Sequence, residues 1–311
     1  MPATSNPGRK SESEPRFMLS RIGIVVMRLL GQLPLPWVRA LGWVLGWALF
    51  VLASARRHVV RVNLQLCYPM DSPRHIRALT IRTFIYFAQA WLDRGWLWHG
   101  SPQTVQKRLR ITGARQELEG EQPTVIFSPH FVGLDAGWTA LTQQMPREFT
   151  TIYSSQSDKV LDAWILAGRQ RFGKVKLFGR ADGAKKIVSA LRRGAPLYLL
   201  PDMNFSLEES VFVPFYGVLT STLPSLSRFA RLGGAKVVPV LTCMTDQGYD
   251  VRILPAWQNY PTADLEADAA YMNECLQDYI DEMPAQYYWV HKRFKLRPGG
   301  EPSVYAEMDG K

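Results

Sequence analysis

The stretch Thr124-Val-Ile-Phe-Ser-Pro-His-Phe-Val-Gly-Leu-Asp135 is a short β-branched and aromatic run that leads into a polar turn. The run predicts a buried strand, and the residues after it predict a helix from Leu134 to Gln144. In one continuous helix, a spacing of five would hold the side chains of His130 and Asp135 about 140° apart. A strand, a turn relaxed by Gly133 and a helix would let them meet. The stretch therefore predicts a strand-turn-helix unit with a polar pair at its turn.

The same alternation of strand-like and helical segments continues on both sides of this unit. Such alternation is typical of an α/β fold with a central, mostly parallel sheet flanked by helices. The predicted helices are Arg74–Trp98, Ala163–Phe172, Gly183–Arg193 and Asp264–Met283, and the predicted strands are Pro196–Leu200, Lys236–Leu241 and Tyr249–Leu254.

The amino-terminal segment divides into a polar tail and a hydrophobic anchor. We expect residues 1–21 to be disordered, residues 22–61 to form membrane-anchoring helices, and residues 62–311 to form one α/β domain. Pro34-Leu-Pro36 should separate two helices, and the uncharged run from Ala40 to Ala55 is shorter than the roughly 20 residues that span a bilayer. Spanning therefore requires Arg39 and Arg56 to snorkel to opposite interfaces. Otherwise the helices lie in one leaflet.

The charge distribution favours a membrane over nucleic acid as the partner. The 311 residues carry a net charge of +10, and 47% of them are hydrophobic. Nine basic and two acidic side chains give the first 61 residues a net charge of +7, which leaves +3 for the rest. Because the basic segment also holds the longest apolar stretch, we expect it to contact anionic lipid. Arg56-Arg57-His58 indicates that the following chain is cytoplasmic.

The polar pair at the turn predicts general-base chemistry. Asp135 would fix the tautomer of His130 and leave the other imidazole nitrogen free as the base. No Gly-x-Ser-x-Gly motif supplies an enzyme nucleophile, so the base would act on a hydroxyl of the substrate as it attacks a thioester. The sequence also lacks Walker A, Gly-x-Gly-x-x-Gly, His-Glu-x-x-His and Cys-x-x-Cys motifs. We therefore predict no metal, no nucleotide cofactor and no disulfide.

Seven sequence blocks together carry a resemblance to a known family: Arg56-Arg57-x5-Asn63-Leu64, Cys67-Tyr68-Pro69, His130-x4-Asp135, Gly168-Arg169-Gln-Arg171, Leu200-Pro201-Asp202, Val211-Phe-Val-Pro-Phe-Tyr-Gly217 and Tyr288-Trp-Val-His291-Lys-Arg293-Phe-Lys295-x-Arg297-Pro298. They resemble the late acyltransferases of lipid A biosynthesis, of the lauroyl/myristoyl type, within the lysophospholipid acyltransferase superfamily. The resemblance implies transfer of an acyl group from acyl carrier protein to a hydroxyl of a phosphorylated glycolipid, at the cytoplasmic face of the inner membrane.

The resemblance also implies roles for individual residues. Its catalytic dyad maps onto His130 and Asp135, although the acid is often Glu in the family. Its arginine, which would hold a sugar phosphate or the oxyanion, maps onto Arg169, and Arg171 is a rival. Its strand-end acid maps onto Asp202, expected to hold that arginine or the acceptor sugar. Asn204 and Ser206 depart from the acid and glycine that often follow there.

Two further blocks are candidates for substrate contacts. Arg293, Lys295 and Arg297 alternate with apolar residues, so in a strand they would share a face that could receive lipid phosphates or the acidic carrier protein. The block Phe212–Gly217 is a candidate wall for an acyl-chain groove.

Two other functions remain compatible with these residues. The acceptor could be a lysophospholipid or another glycolipid, with the same chemistry. The chain could instead be a non-catalytic protein that binds a membrane surface through its basic and apolar patches.

Overall fold

Ten helices and nine strands are described in the computed structural model, which covers residues 13–204 and 207–306. The strands are β1 Leu109–Gly113, β2 Thr124–Phe127, β3 Glu148–Tyr153, β4 Lys174–Gly179, β5 Leu197–Leu199, β6 Val211–Phe215, β7 Val218–Thr222, β8 Lys236–Thr245 and β9 Gly248–Ile253. The helices are α1 Ser13–Leu30, α2 Leu35–Leu52, α3 Ser54–Cys67, α4 Pro73–His99, α5 Pro102–Arg108, α6 Leu134–Gln144, α7 Lys159–Arg169, α8 Gly183–Arg192, α9 Ser225–Gly233 and α10 Leu265–Glu282.

Seven strands form one sheet in the order β1-β9-β8-β2-β5-β3-β4. All neighbouring pairs are parallel except β8 and β9, which are antiparallel. The predicted α/β fold with a mostly parallel central sheet is therefore confirmed. Strands β6 and β7 form a separate hairpin.

Helices cover both faces of this sheet. Along β2, Val125 and Phe127 belong to one hydrophobic core and Ile126 to the other, because successive side chains of a strand point to opposite faces. The first core includes residues of α8, α9 and α10, and the second includes residues of α6 and α7. All four residues of β2 are buried, which explains its continuous apolar sequence.

Helix α2 packs closely along α4. A Cβ atom added to Gly42 would lie 2.6 Å from Gln89 Cγ, and one added to Gly46 would lie 2.5 Å from Ile85 Cα. These two glycines therefore let the helices approach to a distance that larger residues would prevent.

A buried ion pair fixes the start of α2 to the domain. Arg39 Nη2 lies 3.0 Å from Asp93 Oδ2, and the hydroxyl of Tyr249 in β9 donates to the same oxygen at 2.6 Å. Asp93 is fully buried, and burial raises the pKa of its carboxyl against the opposing effects of Arg39 and Tyr249. Arg39 therefore lies against the domain, with 13% of its side chain exposed.

The outward faces of α1 and α2 are apolar and exposed. Within the described residues, α2 is the one helix long and apolar enough to cross a membrane by length and composition, with a mean hydropathy of 1.6 and 22% of its residues buried. The exposed apolar side chains of the two helices include Met18, Leu19, Ile22, Val25, Val26, Leu29, Trp37, Leu41, Trp43, Val44, Val51 and Leu52.

The predicted boundaries of the amino-terminal segment need two corrections. Helix α1 begins at Ser13, so residues 13–21 are helical, and residues 1–12 of the predicted tail lie outside the described residues. The boundary predicted between residues 61 and 62 falls inside α3, whose Val60 and Leu64 belong to the same core as Phe127 of β2. The break predicted at the Pro34-Leu-Pro36 step is confirmed, because α1 ends at Leu30 and α2 begins at Leu35.

We predict that Asp93→Ala lowers the free energy of unfolding by about 3–5 kcal/mol, because it leaves the guanidinium of Arg39 buried without its carboxylate. Denaturant unfolding in detergent measures this loss. Asp250→Ala is the control: its pair with Arg110 is largely solvent-exposed, so the loss should stay below about 1 kcal/mol. Equal losses in the two variants would contradict a special contribution of Asp93.

Candidate active site

The strand order brings His130 and Asp202 together. Strand β2 pairs in parallel with β5, so the carboxyl ends of the two strands lie side by side. The amide of Ser128 donates to Leu199 O at 3.0 Å as the last bond between them. Pro129 has no N–H to continue the ladder, so the chain turns away from the sheet at His130. The residues that follow β5 turn at the same edge and carry Asp202.

Asp202 accepts three hydrogen bonds at this edge. His130 Nδ1 lies 2.7 Å from Asp202 Oδ1, and the backbone N–H of His130 donates to Oδ2 at 2.9 Å. The hydroxyl of Tyr287 donates to the same Oδ2 at 3.0 Å. The Asp202 side chain is fully buried, whereas that of His130 is 24% exposed. The carboxylate is therefore a fixed support, and the imidazole is the accessible member of the pair.

The electrostatics of the pair determine which imidazole nitrogen carries the proton. Burial alone would raise the pKa of Asp202, but the charge of His130 and the hydrogen bonds from its ring and backbone lower it below the ordinary value. An ionised carboxylate can only accept, so Nδ1 of a neutral His130 carries the hydrogen. Its Nε2 then has a free lone pair and can act as a general base.

The predicted contact between His130 and Asp135 is wrong. Asp135 accepts instead from two arginines: Arg94 Nη2 lies 2.7 Å from Oδ2, and Arg169 Nε lies 2.9 Å from Oδ1. Asp202 was expected to hold an arginine or the acceptor sugar, yet it holds His130. The two acids have thus exchanged the roles predicted for them.

Gly133 also has a different role from the one expected. Its φ is −82°, which other residues adopt easily, so the turn itself does not require glycine. A Cβ atom at this position would lie 2.7 Å from Thr242 Cγ2 and 2.9 Å from Tyr249 Cδ1. Close packing against these side chains, rather than backbone conformation, favours glycine here.

The Asp135 cluster carries a net positive charge. Burial would raise the pKa of Asp135, but Arg169 and Arg94 oppose it strongly enough that the net shift is downward. Its single negative charge balances one of the two guanidinium groups. Because Arg169 uses Nε on Asp135, its terminal amino groups are not engaged by that carboxylate. The cluster can therefore attract an anionic group.

Arg94 was missed in the sequence. It lies within the long helix α4, where a basic residue is typical of a solvated face. Its guanidinium instead stacks on Trp91, with 4.4 Å to the ring centroid, while it binds Asp135. Two tryptophans at spacings of three and four from an arginine, Trp91 and Trp98, were the one local signal of this placement.

A cavity of about 680 Å³ adjoins both clusters. His130, Asp135 and Arg169 all line it. Most of the remaining wall is apolar and includes Trp138, Ile152, Ile187, Leu200, Leu223 and Phe229. The cavity thus combines an imidazole, a cationic group and a long apolar wall, which suits a substrate with one reactive polar end and a hydrocarbon tail.

Three predicted substrate contacts do not reach this cavity. Arg171 donates from Nη1 to Leu97 O at 2.8 Å and from Nη2 to Gly100 O, so it binds the carboxyl end of α4. Arg293 is 2% exposed and donates to Ser221 O at 2.7 Å in the β6–β7 hairpin. The predicted alternation with Lys295 fails because residues 291–297 do not form a strand. Lys295 is exposed and does not line the cavity.

The suspected acyl-groove wall also lies elsewhere. Residues 212–217 form most of β6 and the turn after it. Phe215 is fully buried and packs against Phe294, with 6.0 Å between ring centroids, and no residue of the block lines the cavity. Phe215 of this block therefore packs against the carboxyl-terminal segment, and other residues form the apolar wall of the cavity.

Fold and site together define an α/β protein with an accessible histidine in a cavity suited to an amphipathic substrate. A family model described as bacterial lipid A biosynthesis acyltransferase matches residues 6–296 of the chain. Among curated relatives, the lipid A biosynthesis palmitoleoyltransferase of Escherichia coli K12 is 30% identical over 298 residues, which cover 94% of this chain and 95% of the relative.

Two more relatives from Escherichia coli K12 match over similar lengths. The lipid A biosynthesis lauroyltransferase is 29% identical, with 94% of this chain and 96% of the relative covered. The lipid A biosynthesis myristoyltransferase is 27% identical, with 96% and 94% covered. The solved 1-acyl-sn-glycerophosphate acyltransferase of Thermotoga maritima has a TM-score of 0.39 at 11% identity, covering 84% of this chain and 97% of that one.

The chain belongs to the bacterial lipid A biosynthesis acyltransferase family, because the family model matches nearly its full length. It is therefore an O-acyltransferase, and the family resemblance seen in its sequence blocks is confirmed.

We predict that Asp202→Asn lowers kcat for acyl transfer by about 10²–10⁴-fold, because an amide no longer fixes the imidazole tautomer of His130. Steady-state kinetics with purified protein measures the loss. Asp264→Asn is the matched control, since Asp264 caps α10 and asparagine caps helices equally well. Wild-type turnover in Asp202→Asn, together with inactivity in Asp135→Asn, would restore the pairing of His130 with Asp135.

Proposed function

We propose that the protein transfers a fatty acyl group from an acyl carrier protein thioester to a hydroxyl of a lipid A precursor, with His130 as the general base. One observation carries the proposal: an accessible imidazole, 2.7 Å from a buried carboxylate, lines the same apolar cavity as an arginine. Family membership supports the acyl transfer and the lipid A acceptor. The carrier protein as donor and the roles of individual residues are our proposal.

The reaction needs no covalent bond to the enzyme. Nε2 of His130 takes the proton of the acceptor hydroxyl while its oxygen attacks the thioester carbonyl. The tetrahedral intermediate then collapses, the ester bond remains, and the carbon–sulfur bond breaks. The leaving thiolate takes the proton from the imidazolium, which returns His130 to its neutral form. No metal or organic cofactor takes part in this scheme.

We assign charge stabilisation to Arg169. Its guanidinium is held by Asp135 Oδ1 at 2.9 Å, and its Cζ lies 5.5 Å from the ring centroid of Tyr153. With Asp135 neutralising one of two arginines, the cluster offers one net positive charge beside the cavity. That charge suits either the developing oxyanion or a phosphate of the glycolipid.

We assign the acyl chain to the apolar part of the cavity. The cavity volume of about 680 Å³ is within the range of pockets that enclose small-molecule ligands. The cavity is lined by Trp138 of α6, Ile187 of α8 and Phe229 of α9. The apolar wall is therefore built by three helices and is not confined to one element.

We further propose that the apolar faces of α1 and α2 rest in the cytoplasmic leaflet of the inner membrane, with basic residues of the amino-terminal segment near anionic headgroups. The pairing of Arg39 with Asp93 supports this monotopic arrangement over a spanning helix, because it holds one end of α2 within the domain.

Reconstitution of the purified protein with acyl carrier protein thioesters and a lipid A precursor tests the proposal. We expect acylation of the glycolipid but not of lysophosphatidic acid, and we expect His130→Ala to lose about 10²–10⁴-fold in kcat. His75→Ala, which removes an exposed histidine of α4, is the matched control and should retain turnover. Preference for lysophosphatidic acid would disprove the acceptor, and full turnover by His130→Ala would disprove the base.

A further inference from the structure

A carboxyl-terminal strap, residues 286–293, passes the edge of the sheet where His130 and Asp202 meet. It is hydrogen-bonded first to the loop that carries His130. The amide of Val132 donates to Gln286 O at 2.9 Å, and the amide of Tyr288 donates to His130 O at 2.9 Å. Gln286 in turn accepts from the amide of Met244 in β8 at 2.7 Å, so the strap ties the His130 loop to the sheet.

The strap is also bonded to the carboxylate that orients His130. The hydroxyl of Tyr287 donates to Asp202 Oδ2 at 3.0 Å, and both side chains are buried. Burial and the neighbouring carboxylate raise the pKa of Tyr287 well above its ordinary value, so its hydroxyl remains a donor. Tyr287 and the backbone of His130 share Oδ2, which leaves Oδ1 to the imidazole ring.

A second contact holds the loop after Asp202. Asn204 Nδ2 donates to Lys292 O and to Arg293 O, both at 3.2 Å. Since its amide hydrogens serve these carbonyls, its Oδ1 accepts from His291 Nε2 at 2.6 Å. Burial lowers the pKa of His291 to about 4, so this histidine is neutral at ordinary pH. Ser206, farther along the same loop, lies outside the described residues.

The strap has its own anchors on α3 and on the β6–β7 hairpin. Asn63 of α3 donates to Trp289 O at 2.7 Å and to His291 O at 2.8 Å. Arg293 is buried and donates to Ser221 O and to Thr222 Oγ1 at 3.0 Å. These anchors fix the position of the strap, and the strap in turn holds the His130 loop and the Asp202 loop.

We propose that Tyr287 is a positioning residue for acyl transfer: its bond to Asp202 Oδ2 fixes the carboxylate in the rotamer that orients His130. The strap holds the His130 loop and the Asp202 loop in fixed positions relative to each other. The inference rests on the proposed general-base role of His130. Tyr287 directly precedes the carboxyl-terminal sequence block, whose basic residues do not line the cavity. A carboxylate that loses one of three donors can rotate, and its charge acts more strongly on the facing imidazole.

The charged and titratable groups that face the pair come from several elements. They are Tyr287, Tyr288, His291 and Arg293 of the strap, and Asp135, Arg169, Tyr198 and Glu209, which line the cavity together with His130. Only the Tyr287 hydroxyl changes when Tyr287 is replaced by phenylalanine, so a shift in the pH profile can be attributed to its bond with Asp202.

Tyr287→Phe tests the proposal in full-length protein with acyl carrier protein thioester and lipid A precursor. We expect kcat to fall about tenfold with KM changed less than about twofold. The acid limb of the kcat/KM profile should move to higher pH by about 0.5–1 unit, because an unshielded Asp202 favours the protonated imidazole more strongly. Tyr279→Phe removes another tyrosine hydroxyl, bonded to Trp257 Nε1 rather than to Asp202 or the strap, and should leave that profile unchanged.

An unchanged kcat and pH profile in Tyr287→Phe would overturn the inference, provided that His130→Ala is inactive in the same assay. Activity in His130→Ala would instead overturn the general-base proposal on which it rests. If Tyr287→Phe is recovered unfolded, His291→Ala replaces it, because this change removes one of the bonds between the strap and the Asp202 loop without altering a residue that lines the cavity. Loss of kcat at constant KM then supports the positioning role, and wild-type kcat contradicts it.

Discussion

The placement of Asp202 depends on a simple requirement: a carboxylate removed from water must have its oxygens occupied by donors. Here the donors are the ring and the backbone of His130 and the hydroxyl of Tyr287. A buried charge without such partners would be costly, so the carboxylate binds three separate segments of chain to one another. The position and tautomer of the imidazole follow from this requirement rather than from the turn that carries it.

The same requirement recurs at two other buried aspartates and organises the rest of the molecule. Asp135 joins α4 to α7 through Arg94 and Arg169, and in doing so leaves one net positive charge beside the cavity. Asp93 joins α2 to α4 and β9 through Arg39 and Tyr249. The apolar helices at the amino terminus, the cationic cluster and the imidazole are thus each fixed by one buried carboxylate.

Local patterns in the sequence predicted the elements better than their arrangement. Strand β2 and helix α6 were predicted nearly to the residue, because a continuous apolar run and a clear helical period identify buried elements. Strands β3 and β4 were missed; β4 lies at the sheet edge, where Lys174 and Lys176 interrupt its apolar pattern. Strand order depends on contacts between residues distant in sequence, and local patterns do not reveal it. The sequence therefore offered Asp135, five residues away, as the partner of His130. The sheet instead supplies Asp202, which follows the neighbouring strand β5.

The central claim is that Asp202 holds His130 with its hydrogen on Nδ1. Nitrogen-15 NMR of histidine-labelled protein at alkaline pH measures this, because the two ring nitrogens of a neutral imidazole give distinct signals in each tautomer. We predict an Nδ1–H signal for His130 that persists in Asp135→Asn and is lost or strongly shifted in Asp202→Asn. An Nε2–H tautomer in the wild type, or a signal that depends on Asp135 and not on Asp202, would contradict it.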